Sequence, residues 1–500
     1  MRPDDLILPE LLDPAPDVWD VEADVVVVGF GMAGACAALE AARAGADVVI
    51  VERFSGFGGT SATAGGHFYL GGGTPVQQAC GIADSAADME AFLTAITPAP
   101  IPDKIHAYCR DSVAQFDWLE MQGIPFERSF HPGKTPMQMG TEGLIWSGNE
   151  EIYPYRDIAR PAPRGHKVAH PGHEGGGGLA MQHLAAKVDA AGVRVVADTA
   201  VDALFRDASG ICGVRLSNGG GAPATVGARS GVILAGGGFS RNAAMVGHYL
   251  PQVAAAGERV DWIGAPGDDG TAIRLGQSAG GRTLLMDQCF LSSPFYPPEQ
   301  LLKGILVNRD GERFVAEDCY HSRTGAAIMR QPGGIAWLIL DDTTFAYPEG
   351  ARALNQHFVD GWNSIEEMEA ALALPSGSLA HTMERYAADA ARGIDSAFHK
   401  HPKRLQPLVR PPYAAFDMSF GRATFNAFTL GGLDTTVDGE VLDDRGAAIA
   451  GLYAAGACAS GIAQTSENYA SGTNLGQASY FGRRTGFAAA RRHLGGGWTA

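Results

Sequence analysis

Three glycines and one acidic residue near the N-terminus have the types and spacing of a nucleotide-binding turn. Gly29, Gly31 and Gly34 form a G-x-G-x-x-G pattern, and Glu52 follows Gly34 by 18 residues. In such a turn the first glycine allows a tight bend, the second lets backbone approach a pyrophosphate, and the third allows close helix–strand packing. The acidic residue accepts hydrogen bonds from ribose hydroxyls, which argues against a 2′-phosphate. The pattern predicts a dinucleotide site.

The residues around this pattern read as one βαβ unit. The β-branched run 24–28 predicts a strand buried on both faces. The Ala-rich stretch 35–44 predicts a helix, which Gly45 ends, and residues 47–51 predict a second strand. The helix N-terminus would then lie where it can hold phosphate groups.

A loop of small residues and hydroxyls, 56–66, follows the second strand directly and favours FAD over NAD, because a longer cofactor could lie on its backbone. Further strands are predicted at 193–196, 213–216 and 232–235, the last before Gly236, Gly237 and Gly238. The strand-to-glycine pattern recurs at 451–456. The cofactor domain is therefore predicted to be discontinuous, with a segment inserted between these strands.

The composition excludes several classes of protein. Among the 500 residues, 46 % are hydrophobic and 19 % charged, which argues against disorder. The 38 Lys and Arg against 55 Asp and Glu leave a net charge of −17, which argues against nucleic-acid or anionic-membrane surfaces. Glycine, at 67 residues, is about twice its average usage, which fits many close backbone approaches.

The seven cysteines contain no C-x-x-C pair and are odd in number, so neither a disulfide framework nor a zinc site is predicted. The N-terminus, rich in Asp and Pro, lacks the pattern of a signal peptide, and no long apolar run predicts an integral membrane segment. We expect a cytoplasmic protein. Four histidines (His166, His170, His173 and His183) lie in or near a Gly-rich loop without a cysteine or carboxylate pattern, so no metal site is predicted.

Several motifs in this order resemble the flavoprotein family of fumarate reductase, succinate dehydrogenase and the 3-ketosteroid dehydrogenases. The motifs are VVVVGFGMAG (25–34), VER (51–53), GGTSATAGG (58–66), VILAGGGF (232–239), GDDGTAIRLGQSAGG (267–281), NRDGERFVAED (308–318) and GLYAAG (451–456). The resemblance implies an α/β fold: a discontinuous Rossmann-like FAD-binding domain of the glutathione-reductase type with an inserted, smaller α+β catalytic domain. Covalently flavinylated members attach FAD through a His soon after the first strands. No His lies between Glu52 and Gly66, so noncovalent FAD is expected.

The domain boundaries follow from this resemblance. We expect an N-terminal tail at 1–19, an FAD-binding domain at 20–283 and 432–500, and a catalytic domain at 284–431. The predicted cofactor-binding residues are Gly29, Gly31, Met32, Ala33, Gly34, Glu52, Arg53, Gly59, Thr60, Ser61, Gly65, Gly66, Val201, Gly236, Gly456, Gly472, Thr473, Asn474 and Leu475.

The cationic residues of the fumarate reductases are missing from this sequence. Where their proton-donating Arg follows the RFVxE motif, this chain has His321, and their Asn-Arg-Leu-Gly pattern here reads Thr-Asn-Leu-Gly at 473–476. A dianion without such partners would carry an unpaired, partly desolvated charge. Succinate or fumarate chemistry is therefore disfavoured, although Arg323 or Arg422 could serve a shifted site.

Hydroxyl groups stand in place of these cations. Tyr320 lies in the family's catalytic segment, and Tyr469 and Ser471 precede a predicted helix start. This combination resembles the 3-ketosteroid Δ4-(5α)-dehydrogenases and implies that Tyr320, Tyr469 and Ser471 are catalytic. The Tyr-x-Ser spacing departs from the Δ1-dehydrogenases, in which Gly follows the Tyr by four residues.

Desaturation of a ketone requires a base for the proton next to the carbonyl, a hydride acceptor, and donors for the developing enolate. Flavin N5 accepts the hydride. Ser471 is a weak base alone, so its oxygen would pass its proton to Tyr469 and through Tyr320 toward solvent; alternatively, Tyr469 takes the proton directly. Backbone N–H groups at 472–474 would hold either the flavin carbonyl or the ketone oxygen.

Other interpretations remain open at this point. Tyr320 could be an ordinary buried tyrosine, Ser471 could cap the following helix, and the aromatic residues of the insert could be core. A Δ1-dehydrogenase or other ketone desaturase, a fumarate reductase, and a flavin-binding electron-transfer protein without turnover are the alternative functions. The expected partners are a small 3-ketosteroid and a separate, quinone-like or other electron acceptor, because no second G-x-G-x-x-G unit follows a strand.

Overall fold

The computed structural model of the chain describes residues 6–136, 138–217, 224–492 and 498. Residues 1–5 of the predicted tail and the remaining positions after Arg492 lie outside the described residues. The strands, in chain order, are β1 Leu11–Leu12, β2 Val21–Val28, β3 Val48–Val51, β4 His67–Tyr69, β5 Phe130–Lys134, β6 Leu144–Trp146, β7 Gly165–Lys167, β8 Arg194–Val196, β9 Ala200–Asp207, β10 Gly210–Ser217, β11 Ala224–Leu234, β12 Val260–Trp262, β13 Thr283–Leu284, β14 Cys289–Ser292, β15 Ile305–Asn308, β16 Ala336–Leu340, β17 His357–Trp362, β18 Tyr413–Asp417, β19 Phe425–Thr429, β20 Gly432–Leu433, β21 Glu440–Leu442 and β22 Ala448–Ala454.

The helices are named in the same way. They are α1 Met32–Arg43, α2 Gly59–Thr63, α3 Pro75–Ala79, α4 Ala86–Ile96, α5 Pro102–Arg110, α6 Ser112–Met121, α7 Tyr155–Ile158, α8 Gly176–Ala190, α9 Ala243–Tyr249, α10 Pro251–Ala254, α11 Thr271–Ser278, α12 His321–Met329, α13 Ile365–Ala371, α14 Ser378–Ala391 and α15 Thr473–Arg491. Among the described residues no helix combines the length and the apolar character that crossing a bilayer requires.

The βαβ unit at the start of the chain forms the centre of the largest sheet. Strand β2 pairs in parallel with β3 on one side and β11 on the other, and β3 pairs with β8. Val25, Val26 and Val27 are fully buried, as expected for a strand covered on both faces. Helix α1 ends before Gly45, which has a φ of 93°. The predicted strands and helix are thus confirmed, each within a few residues.

The large sheet also confirms the predicted discontinuity, because a strand near the C-terminus pairs with strands from the first half of the chain. Val232 of β11 pairs in parallel with Leu452 of β22, and the register continues to Leu234 and Ala454. Helix α15 follows β22 and packs on α1, so the first and last helices of the chain are neighbours. The α/β fold with a discontinuous Rossmann-like part is therefore present.

The residues between these two strands build sheets of their own. Strands β15, β16, β18 and β17 form a four-stranded antiparallel sheet, and β12, β19 and β14 form a three-stranded one. Strand β12, at 260–262, pairs with β19 at 425–429, so a segment before residue 284 joins the sheet of the insert. The stated boundaries 20–283, 284–431 and 432–500 remain a prediction.

Two further segments differ from simple expectations. The 56–66 stretch, predicted as a loop, contains the short helix α2, because Gly58, with a φ of 109°, redirects the chain just before it. In the predicted tail, β1 pairs with β9, and Trp19 packs against Phe205 with ring centroids 5.2 Å apart. Part of the tail therefore belongs to the large sheet.

Candidate active site

The glycine turn between β2 and α1 has no room for side chains at two positions. Gly29 has a φ of 108°, and a Cβ there would lie 2.6 Å from the carbonyl oxygen of Ala235. A Cβ on Gly34 would overlap with the carbonyl oxygen of Gly29. The first glycine is thus required by conformation and the third by close approach, as the pattern predicted.

The hydroxyl side chains of α2 join it to two neighbouring segments, one of which is the start of α1. Ser61 Oγ accepts a hydrogen bond of 3.1 Å from the N–H of Met32. Thr60 Oγ1 donates to Asp268 at 2.5 Å and accepts from the N–H of Ala265 at 2.8 Å. The segment therefore closes over the helix N-terminus, where the positive end of the helix favours an anion such as a pyrophosphate.

The carboxylate of Glu52 is tied to the same turn. One oxygen accepts from the N–H of Phe30 at 2.7 Å and the other from the N–H of Phe54 at 3.0 Å. Arg53, also predicted as a cofactor residue, pairs with Asp269 at 2.5 Å. Each carboxylate oxygen keeps a further lone pair, so a ribose contact at Glu52 stays compatible with this geometry.

The other predicted cofactor residues lie at close contacts between segments. A Cβ on Gly65 would lie 2.5 Å from the carbonyl oxygen of His173, and one on Gly456 would lie 2.8 Å from Ala33 Cβ. Gly66 and Gly236 similarly face the start of α8 and Ala272. Val201 is buried in the large sheet, where it is paired with Leu216 of β10. Gly31, Gly59, Asn474 and Leu475 lie at helix starts. All these roles stay predictions.

Together these features fit a dinucleotide cofactor. A narrow glycine turn, a helix N-terminus, a hydroxyl-bearing short helix and an acidic strand end converge on the carboxyl edge of a parallel sheet, where such cofactors bind. The residues that would hold the group are those at 29–34, 52 and 59–61.

The second part of the site is a cluster of hydroxyl groups, Tyr320, Tyr469 and Ser471, which we call the hydroxyl cluster. The Tyr320 hydroxyl is hydrogen-bonded to Ser471 Oγ. Tyr320 immediately precedes α12, and Ser471 lies two residues before α15. The structure therefore joins two residues that lie 151 positions apart in the chain.

Ser471 does not cap the helix that follows it. The N-cap of α15 is Gly472, with a φ of 96°, and a glycine has no side chain with which to cap the helix start. The N–H of Ser471 donates to the carbonyl oxygen of Ser147 at 2.7 Å, while its hydroxyl turns to Tyr320. The capping interpretation is wrong, because the left-handed backbone at Gly472 directs the serine away from the first turn.

Tyr469 is surrounded by aromatic side chains of the inserted segment. Its ring centroid lies 5.0 Å from that of Phe290 and 5.3 Å from that of Phe428, and these two phenylalanines stack at 4.4 Å. The Tyr469 and Tyr320 rings are 6.5 Å apart. Phe290, Tyr320, Leu430 and Tyr469 are buried in one apolar group. An apolar wall therefore borders the hydroxyl cluster.

The titratable groups of this region are held in their neutral forms. Burial, followed by the neighbouring Tyr469, raises the pKa of Tyr320 well above its usual value, although the bond from Ser471 opposes the shift. Burial also raises the pKa of Tyr469, against the N–H of Asn474. Burial and then Lys134 lower the pKa of His321 to about 3. Phenols and a neutral imidazole are the forms present at neutral pH.

The two arginines considered for a dicarboxylate site have other partners. Arg323 donates to the Tyr155 hydroxyl at 3.3 Å and lies over its ring. Arg422 is exposed and pairs with Asp417 at 3.2 Å. With these partners, neither arginine is positioned to bind a substrate carboxylate at the hydroxyl cluster.

The histidines predicted not to bind metal are dispersed. His166 is hydrogen-bonded to Thr74 at 2.7 Å, and burial lowers its pKa to about 4. His183 lies against Gly123 and His170 against Gly175. Within the described ranges, no group of three His, Cys, Asp or Glu side chains is arranged to hold a metal ion.

One polar segment of the site was missed by the sequence reasoning. Asn149 Oδ1 accepts from the N–H of Tyr320 at 2.7 Å, and the neighbouring Ser147 holds the N–H of Ser471. Residues 147–150 follow the short strand β6 and carry no recognisable motif. The one sequence feature that could have indicated this segment is the pair of polar residues Asn149 and Glu150 after an apolar run.

Comparison with known proteins defines the class of this molecule. The sequence profile of the FAD binding domain family matches residues 24–473, and the chain belongs to this family. It is therefore an FAD-dependent oxidoreductase, and the FAD expected from the sequence is confirmed.

Individual relatives match along nearly the whole chain. A 3-oxo-5-alpha-steroid 4-dehydrogenase of Comamonas testosteroni is 30 % identical over 88 % of this chain and 93 % of that enzyme. A vinyl phenol reductase of Lactiplantibacillus plantarum is 28 % identical over 94 % of this chain and 96 % of its own. The crystal structure of 3-ketosteroid-Δ4-(5α)-dehydrogenase from Rhodococcus jostii RHA1 with 4-androstene-3,17-dione is 39 % identical, with a TM-score of 0.88, over 97 % of this chain and 100 % of that one. The family expected from the motifs is confirmed.

Proposed function

We propose that the protein is a 3-ketosteroid Δ4-(5α)-dehydrogenase, which converts a 5α-saturated 3-ketosteroid into a 4-ene-3-oxosteroid. The observation that carries the proposal is the hydrogen bond between Tyr320 and Ser471 beside the aromatic wall of Tyr469, Phe290 and Phe428. The near full-length similarity to enzymes named for this reaction supports it.

The hydroxyl cluster provides a path for the proton from C4 of the steroid. In one route Ser471 Oγ takes this proton while its own proton moves along the hydrogen bond directly to Tyr320, not through Tyr469 as the sequence suggested, and Tyr320 passes its phenolic proton on. In the other route Tyr469 first loses its phenolic proton toward solvent and then takes the C4 proton directly, and the N–H of Asn474 stabilises the intervening phenolate. Both tyrosines are buried, so the transfer is shielded from water.

The start of α15 provides donors for developing negative charge. The N–H of Thr473 donates to the carbonyl of Ala470 at 3.1 Å, whereas that of Gly472 lies at the positive end of this 19-residue helix. The helix start would hold the enolate oxygen of the steroid or a carbonyl of the cofactor. When bound, FAD supplies the acceptor for the C5 hydride. We propose that it is held noncovalently, and that a separate, quinone-like molecule accepts the electrons.

The apolar wall favours a neutral, largely hydrocarbon substrate. Phe290 and Leu430 are 5 % exposed and stand beside Tyr469, so a charged ligand would lose its hydration there without an opposite charge. A steroid ketone has one oxygen to pair at this end and a large apolar surface to bury. The same reasoning disfavours fumarate or succinate.

The test is anaerobic mixing of the purified protein with 5α-androstane-3,17-dione. The flavin should bleach, and the product should carry its new double bond between C4 and C5. Ser471→Ala should slow bleaching by about 100-fold or more in the first route and Tyr469→Phe in the second, because each removes the group that takes the C4 proton. Flavin content should be unchanged. Tyr153→Phe, which removes an exposed hydroxyl, is the control.

Three results would contradict the proposal. If no 3-ketosteroid with a saturated first ring reduces the flavin, the steroid assignment fails and only the class of FAD-dependent oxidoreductase remains. A double bond between C1 and C2 would identify a Δ1-dehydrogenase. Fast oxidation of the reduced protein by fumarate would indicate a dicarboxylate site.

A further inference from the structure

Four buried polar side chains lie behind the hydroxyl cluster, and we call them the buried polar cluster: Tyr69, Ser147, Glu150 and Arg164. None is more than 1 % exposed. Each has one atom that lacks a hydrogen bond of normal geometry, namely Tyr69 Oη, Ser147 Oγ, Glu150 Oε1 and Arg164 Nη1, although Tyr69 interacts with both Glu150 and Arg164. Polar atoms are costly to bury with incomplete hydrogen bonding, so four in one region indicate a site for ordered water or for a moving proton.

The buried polar cluster is attached directly to the hydroxyl cluster. The carbonyl of Ser147 accepts from the N–H of Ser471 at 2.7 Å, and the N–H of Tyr69 donates to the carbonyl of Gly472 at 3.0 Å. A Cβ on Gly148 would lie 2.8 Å from Ala470 Cβ and 3.1 Å from Glu150 Oε1. Glu150 thus lies on the far side of one backbone segment from the serine.

Three strand ends hold this arrangement. Tyr69 ends β4, Arg164 immediately precedes β7, and residues 147–150 follow β6. Strand β7 is antiparallel to both of its neighbours, with Tyr69 and Ile145 each paired with Gly165. The ends of all three strands therefore meet at the same edge of this small sheet.

The guanidinium nearest to Glu150, that of Arg164, is held mainly by another carboxylate. Arg164 is bound by Asp84 through two hydrogen bonds of 3.0 and 2.8 Å, and both side chains are fully buried. Glu150 accepts a hydrogen bond from the N–H of Gly148 at 3.0 Å, and it also interacts with Tyr69 and Arg164.

Burial raises the pKa of Glu150, while Arg164, the N–H groups, Tyr69 and Lys134 act against the shift. Lys134 donates to the carbonyl of Asp318, and burial, then Arg404, lowers its own pKa to about 8. Asn149, the neighbour of Glu150 in the chain, accepts a hydrogen bond from the N–H of Tyr320 at 2.7 Å. A neutral carboxyl is therefore readily accommodated here, which is the property required of a group that accepts a proton.

We propose that the buried polar cluster holds water and that Glu150 receives, through Tyr320 and Ser471, the proton removed from the substrate. The proposal rests on the proposed function. The C4–H bond breaks and an O–H bond forms on Glu150, while Ser471 and Tyr320 each gain and lose one proton. The electron pair of the C4–H bond enters the new C4–C5 double bond, and the C5 hydride goes to the flavin. Glu150 is a positioning residue, because it acts through the hydroxyl cluster.

The experiment compares Glu150→Gln with the wild type in anaerobic flavin reduction by 5α-androstane-3,17-dione across pH. The wild-type rate should rise with pH as Glu150 loses its proton, and it should level off above the pKa. The glutamine variant should be slower by about tenfold or more at high pH and should lack the rising limb. Steroid affinity, measured by perturbation of the flavin spectrum, should change less than the rate.

Two further variants make the result specific. Glu151→Gln removes the adjacent carboxylate, which pairs with Lys403 at 2.6 Å, and should keep the wild-type profile. Glu150→Asp retains a carboxyl group and should restore a pH-dependent limb even if its rate is low. A glutamine variant that retains the wild-type limb would overturn the proposal.

A substrate-free measurement separates this proposal from the proposed function. In infrared difference spectra of the flavin-loaded wild type between low and high pH, a band of a protonated carboxyl should appear that Glu150→Gln lacks and Glu151→Gln retains. Its absence from the wild type would overturn the assignment to Glu150. If the band is present but no 3-ketosteroid reduces the flavin, the proposed function fails and the proton transfer from substrate fails with it.

Discussion

At the scale of single residues, the site combines positions that tolerate no side chain with groups kept neutral by burial. The turn at Gly29 and Gly34 leaves no space for a Cβ, whereas Tyr320 and Ser471 form a hydroxyl pair in an apolar setting. Neutral donors suit a ketone, whose oxygen becomes negative only as the reaction proceeds. The two parts of the site therefore differ in kind: a glycine turn without room for side chains and a pair of buried, neutral hydroxyl groups.

Gly34→Ala should weaken flavin binding while Gly56→Ala should not. The added methyl group at Gly34 would overlap with the carbonyl oxygen of Gly29, whereas nothing lies within 4 Å of the same atom at Gly56. Overpacking costs about 1–3 kcal/mol, so flavin affinity should fall about five- to 150-fold if the strain falls on the turn. Titration of the apoproteins with FAD measures this affinity. Equal affinities in the two variants would show that the turn relaxes to accommodate the added methyl group.

At the scale of elements, the inserted sheet is joined to its helices by buried charges. Arg313, which follows β15, donates to Glu317 and to Asp395, the latter through two bonds of 2.9 Å. Lys400 lies 3.2 Å from Glu317. Both carboxylates have fully buried side chains, so they are stabilised only while they remain ionised and paired.

The stability of the inserted segment that contains Arg313, Glu317 and Asp395 should fall in acid. Burial alone would raise the pKa of Asp395, but Arg313 and backbone N–H groups lower it to about 2, against an unfolded value of about 3.9. Because the folded pKa is the lower one, its contribution is complete above about pH 4 and is lost as the pH falls toward 2. The melting temperature of the wild type should drop in this window.

Asp395→Asn should lower the stability at neutral pH by about 2 kcal/mol and should show a shallower acid limb. Asp261→Asn, which removes an exposed carboxylate, is the control for the loss of one negative charge and should follow the wild type. Thermal unfolding from pH 2 to 7 measures both. If the melting temperatures of the Asp395 variant and the wild type fall in parallel with pH, the stability does not depend on ionisation of Asp395.

At the scale of the whole molecule, the two ends of the chain complete one cofactor domain. Glu40 of α1 pairs with Arg483 of α15 at 3.1 Å, with both side chains buried. Arg483 also donates to Gln115 of α6 at 2.7 Å. A Cβ on Gly486 would overlap with the carbonyl oxygen of Ala37, so the helices approach each other closely. The insert is held between two segments that must dock on each other.

Breaking this pair should destabilise the entire domain. Glu40→Gln would leave the Arg483 charge buried without its partner, which costs about 3–5 kcal/mol. Glu22→Gln breaks an exposed pair with Arg229 at 3.3 Å and should cost less than about 1 kcal/mol. Urea unfolding followed by tryptophan and flavin fluorescence measures both variants. A similar loss in each would mean that water reaches the Glu40 pair.

Much of the FAD-binding part could be predicted from the amino-acid order because its signals are local. The strand 24–28, the glycine turn, α1 and the acidic end of β3 lie within about 30 residues and obey simple periodicity and glycine rules. The repeated strand-to-glycine pattern at 232–238 and 451–456 indicated the discontinuity, which the pairing of Val232 with Leu452 confirms. The family and FAD followed from ordered motifs.

Tertiary structure alone decided the rest, since it depends on contacts between residues far apart in the chain. The bond from Tyr320 to Ser471 spans 151 positions, and β12 joins the insert by pairing with β19. No local pattern marks the burial of Glu150, which the ends of three strands place beside Arg164 and Tyr69. Periodicity reports which face of an element is apolar, but burial, charge balance and proton paths form only when distant segments meet.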